Sequence, residues 1–504
     1  MSSQLLRTKS IDRLIAHSQE PEHRLKKTLG PWSLVALGIG AVIGSGIFIL
    51  TGTAAAGETF QYKSILHAPV LDLLQHGGQA LALHGRPGAG PAIALSFLLT
   101  AIACGFAALC YAELASMIPI AGSAYTYSYA TLGEIFAWII GWDLILEYAV
   151  SNVAVAVGFS GYFNSILQGF GIVLPQKLSA PVWEAGQFTG AWFNLPAFLV
   201  VAVLSTLLVL GIRESAKANN VMVLIKIAAI VSFCLAGARF IAVENWKPFA
   251  PNGFQGVLTG SAIVFFTYIG FDSVSTAAEE CRNPQRDVPF GIIVSLIVCT
   301  LLYVSVAVVL TGMQHWTKLS NQAPVANALR ELGANLWVQR AIVAGALMGM
   351  VSSILVFQLG QARIWFAMSR DRLFPGIFSR VHARFKTPHV STWIAGLVVG
   401  LPAGIWGIGD SADLANIGTL FAFVLVSAGV MVLRRTQPHR PRAFRVPLGN
   451  ILPLFSIACC LVLMLGLPLV TWLRFFVWLA IGLVIYFTYS RRRSELAVEP
   501  PAPR

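Results

Sequence analysis

The chain has 504 residues, of which 56% are hydrophobic and only 11% are charged, and its mean hydropathy is +0.72. A soluble domain carries about 25% charged residues, so this composition excludes a soluble globular protein and predicts an all-α integral membrane protein. The formal net charge of +13 would suggest nucleic acid as a partner in a soluble protein. Here the basic residues lie in short segments between apolar spans, which indicates membrane orientation rather than nucleic-acid binding.

Apolar segments long enough to cross a bilayer recur along the whole chain. A membrane-spanning helix needs about 20 residues, and on that basis we predict twelve spans. The third and eighth are long enough to be tilted or to project beyond the membrane. The predicted spans lie at 32–52, 91–118, 134–167, 194–212, 219–243, 255–279, 288–312, 337–369, 389–408, 413–433, 451–470 and 473–490.

The distribution of lysine and arginine predicts the orientation of these spans. With the N-terminus in the cytoplasm, 24 basic residues fall in cytoplasmic segments and 9 in external ones. Cytoplasmic loops carry an excess of Lys and Arg, so both termini are predicted to be cytoplasmic. The first 27 residues are polar and charged, and no cleavable signal peptide is expected.

Residues 57–90 form an unusually long connection on the predicted external side. Its middle part, SILHAPVLDLLQHGG, has apolar residues at helical spacing and predicts a short amphipathic helix. His67, His76 and His84 are eight or nine residues apart without companion ligands, so we interpret them as solvated loop histidines and expect no metal site. The seven cysteines lie mostly inside apolar segments and are expected to be buried, unpaired thiols.

The run GIGAVIGSGIF, residues 38–48, places four glycines inside the first predicted span. Glycine in a helix interior costs roughly 1 kcal/mol relative to alanine. A dinucleotide-binding glycine loop is excluded, because that motif needs a preceding strand and a βαβ unit. Close helix packing through Gly40-x-x-x-Gly44 remains an alternative explanation.

The sixth span is interrupted in the same way, around Thr267, Tyr268 and Gly270. Glycine-interrupted segments at corresponding positions of two halves indicate a transporter built on an inverted repeat. In such folds the helices unwind at the bilayer midplane. The freed N–H groups beside a half-helix N-terminus then bind a carboxylate, and freed carbonyls bind an ammonium group. An amino acid zwitterion suits that pair of helix ends.

Charged residues inside the spans are the second functional signal, because each costs a few kcal/mol near the bilayer centre. Asp143 and Glu147 are spaced i, i+4 in the third span and share one helix face. Lys226 is the one basic residue in the apolar stretch of the fifth span, and Asp272 lies in the sixth. Structural ion pairs between helices are one interpretation. For Lys226 with Glu147 we favour function, since a lysine amine in a dry site can release a proton during transport.

At these residues the chain resembles the amino acid–polyamine–organocation (APC) superfamily, and within it the bacterial relatives of the cationic amino acid transporters (CAT). The resemblance covers about Leu29 to Arg491, and it implies a 5+5 inverted repeat with discontinuous helices 1 and 6 plus two C-terminal helices. The corresponding domains are a cytoplasmic tail 1–30, repeats 31–243 (with the insertion 57–90) and 244–436, helices 11–12 at 437–490, and a cytoplasmic tail 491–504. The matching stretches are GIGAVIGSGIFILTG, FAALCYAELASMIPIAGSAYTYSYATLGEIFAWIIGWDLILEYAV, FFTYIGFDSVSTAAEECRNPQRDVPFGII and GQARIWFAMSRDRLFP.

The resemblance also implies roles for individual residues. A lysine of helix 5 in this family takes the place of a sodium ion found in sodium-coupled relatives, which implies proton coupling. The implied assignments are Ile43, Ser45 and Gly46 for the substrate carboxylate; Phe266, Thr267 and Ile269 for its amino group; Phe357 for the side-chain pocket, with Gln358 beside it; and Lys226 with Glu147 for proton coupling.

Phe357 departs from what the resemblance implies for carriers of arginine and lysine, which tend to have a small or polar residue there. A phenylalanine should shorten the pocket and exclude long cationic side chains. We therefore expect a proton symporter for small or neutral L-amino acids, working by alternating access in a bacterial inner membrane. It is expected to need no cofactor and to have no enzymatic activity, with amino acid, protons and lipid as its partners. A pH-independent exchanger, an Arg/Lys carrier and a substrate-sensing receptor on the same fold remain the alternatives.

Overall fold

The structure is a computed structural model, which describes residues 5–18, 27, 29–59, 64–77, 85–120, 122–184, 187–210, 215–321, 323–382, 385 and 387–498. Helices dominate it. Those of seven or more residues are α1 Ile11–Ser18, α2 Pro31–Val42, α3 Ser45–Ala56, α4 Val70–His76, α5 Ile93–Met117, α6 Ser123–Thr131, α7 Glu134–Gly169, α8 Leu195–Leu210, α9 Ser215–Gly237, α10 Gly253–Val264, α11 Pro284–Met313, α12 Pro324–Glu331, α13 Leu336–Arg370, α14 His389–Ile405, α15 Ile408–Thr436, α16 Ile451–Leu465 and α17 Leu469–Ile485.

Strands are few and short. β1 Gly57–Thr59 pairs antiparallel with β2 Gly85–Pro87, and β3 Trp183–Glu184 pairs antiparallel with β4 Gln187–Phe188. The first hairpin joins the two ends of the predicted external connection, with Glu58 opposite Arg86.

The helices confirm a multi-pass membrane protein. Eight in the described ranges are long and apolar enough to cross a membrane, or nine if the bent pair α2 and α3 forms one span. Three shorter apolar helices are α8, α14 and α16. The third and eighth predicted spans correspond to α7 and α13, which have 36 and 35 residues and are the long helices that the sequence predicts.

The first predicted span is broken where the glycine run lies. α2 ends at Val42, α3 begins at Ser45, and the two helices bend by 45° between them. We call residues 43–44 the first break. The prediction of an interrupted first span is therefore confirmed. Because the helix is broken, the last carbonyls of α2 and the first amides of α3 need hydrogen-bond partners from outside the helix.

The sixth predicted span changes conformation twice. α10 ends at Val264 and passes into a 3₁₀ turn, Phe265–Tyr268, which is followed by a second turn before the short helical segment Ser273–Thr276. Gly270 has φ of 115°, a left-handed conformation that favours glycine. We call residues 265–272 the second break.

The first and last described segments of the chain meet at one face of the molecule, which we call the terminal face. The Lys9 ammonium contacts Glu495 at 2.6 Å and Asp371, at the end of α13, at 2.7 Å. The described parts of the 57–90 connection lie at the other end of α17, where the Leu469 amide donates to the carbonyl oxygen of Ala68 at 3.1 Å, and this face is called the insertion face. There α4 is the short helix that the sequence predicts. His67 is half-buried and His76 exposed, while His84 lies outside the described residues.

The cysteines agree with the expectation of unpaired thiols. All seven are free, five of them buried and two, Cys234 and Cys459, half-buried.

Candidate substrate site

The carbonyl end of α2 is contacted by side chains from two other helices, α9 and α13. The Lys226 ammonium of α9 donates to the carbonyl oxygens of Gly40 at 2.8 Å and Ile43 at 2.9 Å, and its third donor lies 3.4 Å from the Ser352 hydroxyl oxygen. The Ser353 hydroxyl lies within 3.1 Å of the carbonyl oxygens of Gly40, Ala41 and Ile43. A fixed ammonium thus fills a cradle of carbonyl and hydroxyl oxygens, a ligand set that also suits a hard cation.

Tyr303 connects the two breaks. Its hydroxyl oxygen lies 2.9 Å from the carbonyl oxygen of Val42 and 2.8 Å from that of Thr267. One hydroxyl proton serves one acceptor at a time, so Tyr303 couples the last carbonyl of α2 to the 3₁₀ turn of the second break.

The amide end of α3 offers donors rather than acceptors. Its N-cap residue is Gly44, which has no side chain to accept from the first amides of the helix. These amides therefore keep donor capacity, and the helix dipole adds positive potential at the same point. Ser45 and Gly46, predicted to bind a carboxylate, are the first two residues of α3 and are buried. Such a helix end is an anion-binding arrangement.

The two breaks touch each other directly. A Cβ atom on Gly46 would lie 3.1 Å from the Cα atom of Thr267 and 2.7 Å from its methyl carbon. A Cβ atom on Gly270 would lie 2.8 Å from that of Ala41. Only glycine permits this approach, which brings the predicted carboxylate-binding and amino-group-binding segments together in the protein interior.

The carbonyls predicted to hold the amino group are partly engaged. The carbonyl oxygen of Phe266 accepts from the Ile269 amide at 3.2 Å, and that of Thr267 is next to the Tyr303 hydroxyl. A carbonyl oxygen has two lone pairs, so both keep capacity for another donor. All three residues of this group, Phe266, Thr267 and Ile269, are buried.

Phe357 and Gln358 point to different surroundings. The ring of Phe357 packs against the second break: its Cζ atom would lie 3.3 Å from a Cβ atom on Gly270. The same ring meets the ring of Tyr148 edge-on, with 5.7 Å between the ring centroids. The Gln358 amide nitrogen instead donates to the Ser205 hydroxyl of α8 at 2.8 Å. Of the two, Phe357 therefore lies beside the breaks.

The acidic residues form a separate cluster. Asp143 and Asp272 interact electrostatically with Glu147, and the Tyr148 hydroxyl donates to Asp272 at 3.3 Å. The contacts of Lys226 are the carbonyl and hydroxyl oxygens described above. Within the described ranges no ion pair joins Lys226 to Glu147, so the structure does not bring these two predicted partners into contact.

Sequence reasoning missed Ser352, Ser353 and Tyr303. Two adjacent serines and a single tyrosine in the middle of apolar spans were the available signals, since buried hydroxyls must find acceptors. The sequence alone does not reveal which acceptors, because those lie on other helices.

The sequence pattern of the family described as "Amino acid permease" matches residues 29–488, nearly the whole chain. The chain belongs to the amino acid permease family. The permease is 48% identical over 498 residues to the branched-chain amino acid permease BcaP of Bacillus subtilis (strain 168), covering 98% of this chain and 100% of that protein.

Two further relatives differ in the compounds they are named for. The permease is 44% identical to the methylthioribose transporter of the same organism, over 98% of this chain and 99% of that protein. It is 33% identical to the vacuolar cationic amino acid transporter 4 of Arabidopsis thaliana, over 86% of this chain and 68% of that protein. The family membership, together with the apolar helices, makes the chain a membrane transporter and not an enzyme.

Proposed function

We propose that this permease imports neutral L-amino acids with small or branched apolar side chains by proton symport. The observation that carries the proposal is the Lys226 ammonium, held 2.8 and 2.9 Å from two carbonyl oxygens of the first break. Loss of its proton removes charge-assisted hydrogen bonds at the point where the span bends, and so links a proton to the geometry of the break.

The substrate zwitterion would lie between the two breaks. The first amides of α3, at Ser45 and Gly46, receive its carboxylate, as helix N-termini favour anions. The carbonyls of Phe266, Thr267 and Ile269 receive its ammonium group. This pairing uses both broken ends and requires no cofactor.

The side-chain preference rests on Phe357. Its ring covers the second break next to Gly270 and Tyr148. An apolar wall rejects a guanidinium or ammonium because that charge would lose its hydration without a partner. The name of the Bacillus subtilis branched-chain relative supports the same class of substrate.

The architecture proposed with this function is twelve spans in two inverted repeats of five, followed by two helices, in a bacterial inner membrane with the terminal face in the cytoplasm. Eight long apolar helices, the bent pair and three shorter apolar helices support that number. The breaks in the first and sixth spans support the repeat.

The test is uptake into proteoliposomes holding the purified permease, across a panel of amino acids, with and without an imposed proton gradient. Accumulation of a neutral amino acid that rises with an external acid gradient is the expected result. Gradient-independent exchange, or uptake of arginine in preference to leucine, would contradict the proposal. Methylthioribose belongs in the panel because a full-length relative at 44% identity carries that name. Uptake of methylthioribose alone would replace the amino acid proposal.

A further inference from the structure

Asp143 is a buried carboxyl group that no ion pair explains. The residue is 1% exposed, and neither carboxylate oxygen has a hydrogen-bond partner in the described part of the chain. It lies in α7, one helical turn before Glu147 and on the same face. Such a group in the membrane interior is a functional-site candidate rather than a packing element.

Its neighbours are acidic or neutral. On its own helix it faces Glu147, and in the second break Asp272 belongs to the same electrostatic cluster. From α5, the buried Tyr111 hydroxyl has no hydrogen-bond partner among the described residues and belongs to that cluster as well. From α15, Gly418 approaches so closely that a Cβ there would lie 2.8 Å from an Asp143 oxygen.

Protons are the species that neutralise this cluster. An unpaired carboxylate in a low-dielectric interior costs several kcal/mol, and three of like sign cannot all be ionised. No group of three or more His, Cys, Asp or Glu residues is arranged to hold a metal ion within the ranges that the structure describes. A group that must hold a proton at rest and has no fixed partner can also pass that proton on.

The position of Asp143 along α7 gives the direction of transfer. α7 begins at Glu134, which accepts from the Tyr486 hydroxyl at 2.9 Å near the terminal face. Asp143 therefore lies on the terminal-face side of Glu147. Ionisable groups on that side include Tyr125, which packs against Gly141, and Asp371, whose carboxylate accepts from the Tyr125 hydroxyl at 2.6 Å.

We propose that Asp143 is a proton carrier that passes a proton from Glu147 to the water on the terminal face during symport. The inference rests on the proton symport proposed above. In the state open to that face, the O–H bond of the Asp143 carboxyl breaks and its proton passes to water, which leaves as hydronium. The O–H bond of the Glu147 carboxyl then breaks as one forms on the Asp143 carboxylate, and Glu147 is protonated again from the insertion side.

The test separates proton release from substrate translocation. Asp143→Asn keeps the shape of the side chain but cannot carry the proton, so proton-driven accumulation in proteoliposomes should fall by at least about tenfold. Substrate counterflow at equal pH on both sides needs no net proton release and should stay within about twofold of wild type. Ser151→Ala is the matched control, since Ser151 lies two turns along the same face, is 0% exposed and has a hydroxyl with no partner in the ranges that the structure describes. It should leave both activities unchanged.

Retention of proton-driven accumulation by Asp143→Asn overturns the proposal. A loss of counterflow as large as the loss of accumulation also overturns it, because it would mean a structural or substrate-binding role. If the asparagine variant does not fold, Asp143→Glu provides the readout. It keeps an acid and should restore accumulation with a shifted pH profile, whereas an unchanged profile refutes a proton-carrying role. A wild-type permease without any response to a proton gradient contradicts the proposed symport itself, whatever the variants do.

Discussion

At the residue scale, the cradle around Lys226 links a proton to a broken helix. Its ammonium donates to Gly40 and Ile43, and in the membrane interior those carbonyls have no water to replace it. An uncharged amine would bind them more weakly, since hydrogen bonds to charged donors are roughly twice as strong as neutral ones. Protonation of one side chain can therefore set how firmly α2 is held.

Lys226→Met tests this role, because methionine fills the space but carries no proton. We expect uptake by the variant to lose its response to an imposed pH gradient, measured as the ratio of initial uptake rates with and without that gradient. Ser352→Ala is the control: it removes the 3.4 Å contact with Lys226 and the Ser352 hydrogen bonds to Gly40 and Asn219, but it leaves the ammonium on its two carbonyls and should keep most of the response. An unchanged ratio in Lys226→Met would exclude Lys226 as the proton site.

The local sequence was enough to single out Lys226 and the glycine run, because a charge or a run of glycines in an apolar span is visible without any fold, and the family resemblance then pointed to Ser45 and Gly46. It was not enough to find Ser353 or Tyr303. Their importance comes from carbonyls contributed by α2 and the second break, more than 30 residues away along the chain in each case. The expected association of Lys226 with Glu147 depended on the same kind of tertiary information, and the two residues lie in different clusters.

Phe357 provides a prediction about specificity. Phe357→Ser should open space beside Gly270 and Tyr148 and admit longer or cationic side chains. The measurement is competition by arginine against uptake of a labelled neutral amino acid. Arginine should compete at least about tenfold better than in wild type, the scale expected when a pocket gains or loses more than a methylene. Gln358→Leu alters a neighbour tied to Ser205 and should not change competition by arginine. If arginine competes no better with Phe357→Ser than with wild type, another residue limits the length of the substrate side chain.

At the element scale, the glycine run explains how two broken helices approach each other closely. Packing through Gly40 also has support, since a Cβ there would lie 2.7 Å from the Asn219 side-chain oxygen of α9. The two explanations are compatible: Gly40 allows α9 to approach α2, and Gly46 allows the second break to approach α3. The sequence could locate the interruptions but not their conformation, because a 3₁₀ turn such as Phe265–Tyr268 is set by packing rather than propensity.

Gly46→Val should abolish substrate binding while leaving a folded protein. The added carbons would push against the backbone of Thr267 and separate the two groups that hold the zwitterion. Binding can be followed by substrate-induced thermal stabilisation of the purified permease, which should vanish. Gly105→Val on α5 is the control, since a Cβ at Gly105 meets nothing within 4 Å. If substrate stabilises Gly46→Val as much as it stabilises wild type, substrate binding does not require the close approach of the two breaks.

At the scale of the whole molecule, the 57–90 connection is tied to a helix more than 300 residues away. Arg86, in β2, donates to Glu58 at 2.6 Å and to Asp413 of α15 at 2.9 Å. Burial alone would lower the pKa of the Arg86 guanidinium, but Asp413 and Glu58 raise it above its ordinary value, so the group stays charged. These three residues border a cavity of about 340 Å³ on the insertion face. The length of the connection was evident from the sequence, whereas this long-range attachment was not.

Arg86→Met should destabilise the permease strongly, because it leaves two carboxylates without their shared partner. Removing one member of a buried pair costs about 3–5 kcal/mol, whereas an exposed pair contributes about 0–1 kcal/mol. Arg86 has a side chain 2% exposed, while Arg474, paired with Asp410 at 3.0 Å, has one 40% exposed. The melting temperature in detergent should therefore fall clearly for Arg86→Met and hardly for Arg474→Gln. Similar shifts for both variants would mean that the connection is held by its other contacts, such as the 2.8 Å hydrogen bond from Gln255 to Asp72 of α4.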